Sequence, residues 1–558
     1  AFPMVTGSRL GAAFVVLVVG EIYTFRGSGE GSRRPVSIGV LALLMTSVVY
    51  VPGAVVGYLL LTWDQWFYLD EWTFLTYRDG GDLDSVLRAH NEHLSAVPVV
   101  ANRVLFNLFG LHTYRPYQAL TLAAHLGVVA VLWGIVRRNG GSAWVATISA
   151  SVLLFYGQGT QNATWGTNLG FTSGILGGLA CLYVADTDDP SRPRIAGAIA
   201  CGLVGVLASG TAVLVLAVGL FGLAVKRGPV RSIVIAAVTF LPYLWWWQEY
   251  QFAERNEESP TIRQMLSFVR HGQEAVVESV AYRPVAGLIV VLAVAAGLVL
   301  AAIRADGLAG LRTRLAVPVT LLAGGAAFLL VTSRGRAVGW GVEYAAAGRF
   351  RYTVLALSVP AIALALSELA RRWPAVGVVF AGVLVLAMPL NLLTADVTRQ
   401  RAVTPGTVYL LATDPDVQAE DPSIEPFADL DASNTITLGW LAQTRDEGRI
   451  PDDVTVTDVD RAEVYGRALI RREPLVQQPP DCRSLAPGDR VPLDATDGAL
   501  ATFGEIHFEA ELPNGASSYG IRTGSMRLVE WSGVRDEQVT IELARVEPPA
   551  TAYWCPSP

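Results

Sequence analysis

Pro284-Val285-Ala286-Gly287-Leu288-Ile289-Val290-Val291-Leu292-Ala293-Val294-Ala295-Ala296-Gly297-Leu298-Val299-Leu300-Ala301-Ala302-Ile303 carries no charge and no polar side chain, and Arg304 ends it. A helix of about 20 mostly apolar residues crosses the hydrocarbon core of a bilayer. Comparable apolar runs lie at 36–61, 115–136, 142–156, 169–185, 195–208, 211–225, 231–247, 315–332, 352–370 and 375–393. The reading is therefore an α-helical polytopic membrane protein with about eleven spans. Several runs are short, so their helices must tilt or thin the bilayer locally. Residues 10–24 are apolar but brief. They would add a twelfth span, lie on the interface, or be the remnant of a targeting signal.

Composition agrees. Hydrophobic residues make up 52% of the 558 positions and charged residues 16%, against roughly a quarter charged in soluble domains. A net charge of -7 argues against a nucleic-acid partner. Lys226 is the single lysine, so the basic charge is almost all arginine, a compositional bias and not an anion-binding device.

Basic residues recur in every second connection: Arg33 and Arg34, Arg137 and Arg138, Arg192 and Arg194, Lys226, Arg227 and Arg231, Arg304, Arg312 and Arg314, then Arg371 and Arg372. Short basic loops beside span ends stay in the cytoplasm. The connections at 62–114, 157–168, 209–210, 248–283 and 333–351 then face outward, as does everything after the last span. Three regions follow: an N-terminal segment 1–35, a membrane domain 36–394 with a long first outward loop at 62–114, and an outward domain 395–558. In the last, Glu505–Ala510 and Gln538–Leu543 alternate apolar and polar residues with a period of two, which predicts strands and a mostly-β domain. Of four cysteines, Cys181 and Cys201 sit in apolar runs as packing residues. Cys482 and Cys555 lie in the polar region and are expected to form a disulfide in an oxidising compartment.

The chemistry-bearing residues gather where the first span runs out. Asp64, Asp70 and Glu71 stand among Trp63, Trp66, Phe67, Tyr68 and Trp72, and His90-Asn91-Glu92-His93 follows. Charged groups are costly in hydrocarbon and collect where a span meets water, and Trp and Tyr favour that interface. Partial burial of Asp70 or Glu71 among aromatics would lift a carboxyl pKa towards the range of a general base. Asp79, Asp82 and Asp84 read more simply as a solvated loop. Asp70, His90, Glu92 and His93 could hold a divalent cation, but they lack the spacing of a helical zinc motif. The histidines could equally contact a phosphate or sugar, or be structural.

A second cluster, Arg334, Arg336, Arg349 and Arg351 with Tyr352, breaks the positive-inside trend. Arginine is the preferred fork for phosphate. The bland alternative is that these arginines pair with the acidic first loop. Gly157–Asn168, rich in amides and hydroxyls, would suit a sugar or be only a turn. Ser209-Gly210-Thr211 reads as a tight hairpin. Residues 248–283, after Trp245-Trp246-Trp247, read as an interfacial gate or a groove for a lipid tail. Walker, nucleophile-elbow and dinucleotide motifs are missing from the sequence.

These features together resemble the polytopic C-type glycosyltransferases, which take sugars from polyprenyl phosphate. The likeness runs over about 36–393. It rests on Asp70-Glu71-Trp72 after the first span, His90-Asn91-Glu92-His93, and Arg351-Tyr352 before a late span, and it is nearest to an uncharacterised bacterial branch. The resemblance implies a multi-pass enzyme of a bacterial plasma membrane. A monosaccharide would pass from a polyprenyl-phosphate donor to a glycan or lipid acceptor of the cell envelope, with inversion. Asp70 or Glu71 would be the base. The donor would contact His90, Glu92, His93, Arg334, Arg336, Arg349, Arg351 and Tyr352. A divalent cation is allowed and not required. Two rival readings are a lipid or glycan transporter and a non-catalytic envelope assembly protein. A transporter needs ionisable groups near the bilayer midplane, whereas these gather at one surface.

Overall fold

The computed structural model describes residues 49–556 except 77, 79–80, 91–92, 251–258, 282–283, 394, 396–402, 427–435, 465–469, 475–481, 494–497, 504–505, 512–516, 524–526, 532–538 and 547–550. The N-terminal segment 1–35 and Glu92 lie outside the described residues. The chain forms two compact units. One comprises the described parts of 1–63, 87–98 and 117–398; the other comprises 64–86, 99–116 and the described residues from 399 onward. The interval expected to be one outward loop is thus divided between them.

The first unit is helical. Its helices are α1 (Val51–Leu61), α2 (Arg115–Arg138), α3 (Ala143–Leu154), α4 (Leu169–Ala185), α5 (Arg192–Ala208), α6 (Thr211–Arg227), α7 (Pro229–Glu249), α8 (Ile262–Ala281), α9 (Pro284–Ile303), α10 (Gly307–Arg336), α11 (Gly348–Arg372) and α12 (Pro374–Leu393). Every expected apolar run carries a helix. Seven segments are long and apolar enough to cross a membrane: α2, α7, α9, α10, α11, α12, and Gly166–Ala185, which contains α4. Of the other five helices, α1, α3, α5 and α6 have 11, 12, 17 and 17 described residues, short of the roughly 20 that a span needs, and α8, with 20, is amphipathic. These helices are those of an α-helical membrane-embedded protein; of the eleven expected spans, seven have helices of sufficient length and apolarity among the described residues.

Sequence explains the packing. A Cβ added to Gly177 on α4 would come within 2.6 Å of the Gly205 Cα on α5. Only glycine allows that approach, the small-residue contact favoured between membrane helices. Cys181 is buried and free on the same helix. α11 is apolar on nearly all sides and lies at the centre, with Val354–Ala363 buried throughout, as a helix without a polar face must. On α7 and α9, by contrast, Ile233, Leu241, Leu244, Leu288, Leu292 and Val299 are exposed, which suits lipid.

At one set of helix ends the basic residues have carboxylate partners. Asp186 accepts from Lys226 at 2.7 Å and Arg227 at 2.9 Å. Glu368, almost fully buried, pairs with Arg371 at 2.9 Å and Arg304 at 3.4 Å. Arg231 donates to the carbonyls of Ala185 and Thr187. These are the connections expected to be basic.

The expected gate after the three tryptophans is a 20-residue helix, α8, whose buried residues Phe268, Gly272, Val276 and Val280 fall on one face. Trp246 is turned inward and donates to the Leu87 carbonyl at 2.6 Å, while Trp245 and Trp247 are exposed.

In the second unit, a short helix Asp70–Leu75 and most of the helix Ala96–Phe109 join the C-terminal region. Phe106 stacks on Trp440 at 5.8 Å, the Arg449 guanidinium lies over Phe106, and Leu111 N–H donates to the Arg449 carbonyl at 2.8 Å. Between Pro405 and Glu463 the described elements are four short helices, Pro405–Thr413, Pro415–Gln418, Leu438–Asp446 and Asp458–Glu463, with threonines 404, 437 and 457 capping three of their N-termini. Strands begin only at Ile470, later than the expected boundary at 395. β1 (Ile470–Pro474), β2 (Arg483–Leu485), β3 (Arg490–Leu493), β4 (Gly498–Phe503), β5 (Ile506–Glu511), β6 (Ser517–Thr523), β7 (Arg527–Trp531), β8 (Val539–Val546) and β9 (Thr551–Pro556) form two antiparallel sheets, ordered β1-β7-β4-β9-β2 and β3-β8-β5-β6. The two alternating sequences correspond to β5 and β8. Cys482, which precedes β2, is disulfide-bonded; the side chain of Cys555, on β9, lies outside the described residues.

Candidate functional site

The acidic pair belongs to the second unit. Leu69, just before it, has φ 52° and ψ -130° and is the one non-glycine residue with positive φ among the described residues. Such backbone strain is uncommon and tends to cluster at functional positions. Glu71 is fully buried. Its carboxylate accepts the Tyr114 hydroxyl at 2.6 Å and the Tyr68 N–H at 3.0 Å. Gln65 in turn donates to the Tyr114 hydroxyl at 3.3 Å. Phe67 packs on Trp72, Trp66 and Tyr114 with ring centroids 5.0–5.7 Å apart. The aromatic surround read from sequence is therefore present, and Glu71 is locked inside it. Asp70 is half-buried and keeps contact with solvent. Adjacent in sequence, the two carboxylates have opposite environments.

The other candidates belong to the first unit. His90 and His93 close a tight turn through reciprocal backbone bonds of 2.9 Å. His90 is buried, and half-buried His93 meets Phe171 edge to face at 6.1 Å. Room for the imidazole comes from the small hairpin: a Cβ on Gly210 would lie 2.9 Å from His93 Nδ1 and 3.1 Å from the Tyr243 hydroxyl. Burial, together with the Arg336 and Arg349 guanidiniums and His90, lowers the His93 pKa to about 4. The ring is neutral at ordinary pH and offers one N–H donor.

Arg336 ends α10 and Arg349 opens α11. The Arg349 guanidinium lies 5.4–5.8 Å from the rings of Phe171, Tyr344 and Phe350 and donates to the Tyr344 hydroxyl. Trp340 stacks on Tyr344 at 5.0 Å. Among the described residues neither Arg336 nor Arg349 forms an ion pair. Asp79 and Glu92, two of the acids weighed as partners for these arginines, lie outside the described residues. His93, Arg336 and Arg349 thus form a positive, aromatic-walled cluster suited to an anion.

Arg351 goes elsewhere. It lines a cavity of about 400 Å³ with residues of α8, and its Nε is buried without a partner among the described residues. Arg334 is exposed. Tyr352, expected beside the donor, is fully buried: its hydroxyl meets His125 Nδ1 at 2.8 Å and Gly159 packs against its ring. Its placement is that of a packing residue, because α11 turns it into the helix core.

His125 was missed in the sequence, although a lone imidazole inside the apolar run 115–136 was a readable signal. It packs edge to face on Tyr58 at 5.5 Å and shares the Leu154 carbonyl with the Tyr58 hydroxyl. The amide-rich stretch 157–168 is largely buried, with Thr172 donating to the Asn162 carbonyl at 2.7 Å.

No group of three or more His, Cys, Asp or Glu among the described residues could hold a metal ion. The set read from sequence includes Glu92, outside the described residues, and Asp70, which belongs to the other unit.

No protein-family model, curated protein or solved structure matches this chain. The functional reading therefore rests on the residues and their geometry.

Proposed function

We propose that the chain is a glycosyltransferase that moves a monosaccharide from a polyprenyl-phosphate donor to a cell-envelope glycan or lipid at the outer face of a bacterial plasma membrane. One observation carries the reading: His93, Arg336 and Arg349 converge, and among the described residues no carboxylate pairs with either arginine. At the other helix ends Lys226, Arg227, Arg304 and Arg371 have carboxylate partners in Asp186 and Glu368; among the described residues Arg336 and Arg349 have none. A charge left without a counter-ion at a membrane boundary is costly, and a lipid-borne phosphate would offset that cost.

The two guanidiniums bind phosphate oxygens and the neutral His93 adds an N–H. The bond between the anomeric carbon and the phosphate oxygen breaks, its electron pair staying on that oxygen, where the arginines stabilise the charge. The acceptor hydroxyl attacks the anomeric carbon and its proton passes to a general base, a role for which the sequence offers Asp70, a half-buried carboxylate. A single displacement inverts the anomeric centre. The C-terminal domain, outside the cell in this reading, orients the acceptor.

A lipid or glycan transporter is the second reading. It is favoured by the Tyr58–His125–Tyr352 network inside the helices, since intramembrane ionisable groups often mark transport paths.

The test is transfer by the purified protein from synthetic polyprenyl-phosphate sugars in the presence of envelope extract. Release of polyprenyl phosphate with formation of a new glycoside supports an enzyme. Movement of the lipid between leaflets with its sugar still attached supports the transporter.

A further inference from the structure

The cavity of about 400 Å³ at Arg351 lies within the first unit and is walled by four elements. α8 supplies Glu274, Glu278 and Ser279, the turn after α3 supplies Gln158, α11 supplies Arg351 and α12 supplies Asn391. His271, Glu274 and Glu278 are spaced by three and four residues on α8, so they share one helix face. The Ser279 side is fixed by a 2.6 Å hydrogen bond to the Tyr156 hydroxyl. The cavity also reaches Ala346, two residues from Tyr344 of the cationic cluster. Its size falls in the range of about 300–1,000 Å³ found for small-molecule sites.

Its chemistry differs from that of the cluster. Glu274, 3.9 Å from Arg270 on the same helix, and Glu278 share the cavity with the Arg351 guanidinium, so no excess of positive charge is left to hold an anion. Carboxylates accept hydrogen bonds, guanidinium donates them, and the amides of Gln158 and Asn391 can do both. Arg351 Nε is a buried donor without a partner among the described residues, and leaving such a group unsatisfied is costly. A neutral ligand with many hydroxyl groups could bond to the carboxylates and to Arg351 Nε alike, because each hydroxyl both donates and accepts.

We propose that the cavity between α8 and α11 is a saccharide subsite, in which Glu274 and Glu278 accept sugar hydroxyls and Arg351 donates to a sugar oxygen. This deepens the glycosyltransferase reading and rests on it for the role of the sugar. The anion belongs to His93, Arg336 and Arg349, and the sugar to Arg351 and the α8 carboxylates.

The test uses the full chain purified in a detergent free of sugar, with maltose, cellobiose, lactose and trehalose as probes and saturation-transfer NMR as readout. At least one disaccharide should bind saturably. Glu274→Gln with Glu278→Gln, and separately Arg351→Gln, should weaken it by about tenfold or more, the loss expected for a hydrogen bond to a charged group. The double variant should still bind farnesyl phosphate, which shows that it is folded and keeps failure of the subsite distinct from failure of the phosphate site. A glucose carried on farnesyl phosphate separates the two sources of sugar: displacement of the disaccharide marks the cavity as the donor's, and simultaneous binding marks it as the acceptor's. Absence of saturable binding by all four disaccharides, or binding indifferent to both substitutions, overturns the proposal.

Discussion

Arg349 and Arg351 stand two residues apart in the first turn of α11 and serve different surroundings. Arg349 lies among Phe171, Tyr344 and Phe350 and lowers the pKa of His93, while Arg351 lines the cavity beside Glu274 and Glu278. Residues i and i+2 of a helix point about 200° apart. One motif read as a double arginine therefore supplies two sites of opposite electrostatic character.

The first prediction follows from that divergence. Arg349→Gln should weaken binding of farnesyl phosphate by about ten- to a hundredfold, the loss of one charge-assisted hydrogen bond of roughly 1.5–3 kcal/mol. Arg351→Gln should cost clearly less. Calorimetric titration of the two variants checks the order, and equal losses would return Arg351 to the phosphate.

His93 predicts a pH dependence. Its folded pKa, about 4, lies below the ordinary 6.5, so between these values the unfolded chain binds the proton more readily than the folded one. Its contribution to stability is present above pH 6.5 and is lost as pH falls towards 4. The groups that face it are His90, Arg336, Arg349 and the Tyr243 hydroxyl. Thermal unfolding from pH 7 to 4.5 should show a smaller fall for His93→Gln than for the wild type. An anion bound in the cluster should raise the His93 pKa, visible in the imidazole NMR shifts on adding farnesyl phosphate. No movement of those shifts would place the anion elsewhere.

Glu71 should behave as a structural acid. Glu71→Ala leaves the Tyr114 hydroxyl and Tyr68 N–H without their acceptor, at a cost of about 1–3 kcal/mol. Asp70→Asn, at a half-buried position, should lower the melting temperature less than Glu71→Ala. Differential scanning fluorimetry of both variants distinguishes them, and an unchanged Glu71→Ala would contradict the buried role.

The His125–Tyr352 bond should be worth about 0.6–2 kcal/mol in a double-mutant cycle, the range found between membrane helices. His125→Phe and Tyr352→Phe, singly and together, provide the cycle. Strict additivity of the unfolding free energies would show that the 2.8 Å contact contributes nothing.

Much of the helical unit was legible because apolar runs report burial in lipid directly. Their lengths were not: α3 ends at Leu154, and hydropathy alone does not say how many residues a neighbouring helix will cover. The amphipathic repeat of Phe268, Gly272, Val276 and Val280 was readable, but treating 248–283 as a loop concealed α8. The division of the interval 62–114 between the two units was not legible for another reason. Phe106 and Leu111 find their partners at Trp440 and Arg449, more than three hundred residues on, and periodicity carries no information about such contacts. Likewise, adjacency could not assign Asp70 and Glu71, because the partner that internalises Glu71 is Tyr114. The divergence of Arg349 and Arg351 follows from helical geometry once α11 is known to begin at Gly348.

The account's central claim is tested most directly by sugar transfer from a panel of synthetic polyprenyl-phosphate hexoses and pentoses, comparing wild type with Asp70→Asn. The account predicts that the wild type releases polyprenyl phosphate and forms a glycoside of inverted anomeric configuration, while Asp70→Asn still binds farnesyl phosphate but transfers about 10²–10⁴-fold more slowly, as removal of a general base requires. Near-normal turnover by Asp70→Asn, or a wild type that moves the lipid across the bilayer without cleaving it, would contradict it.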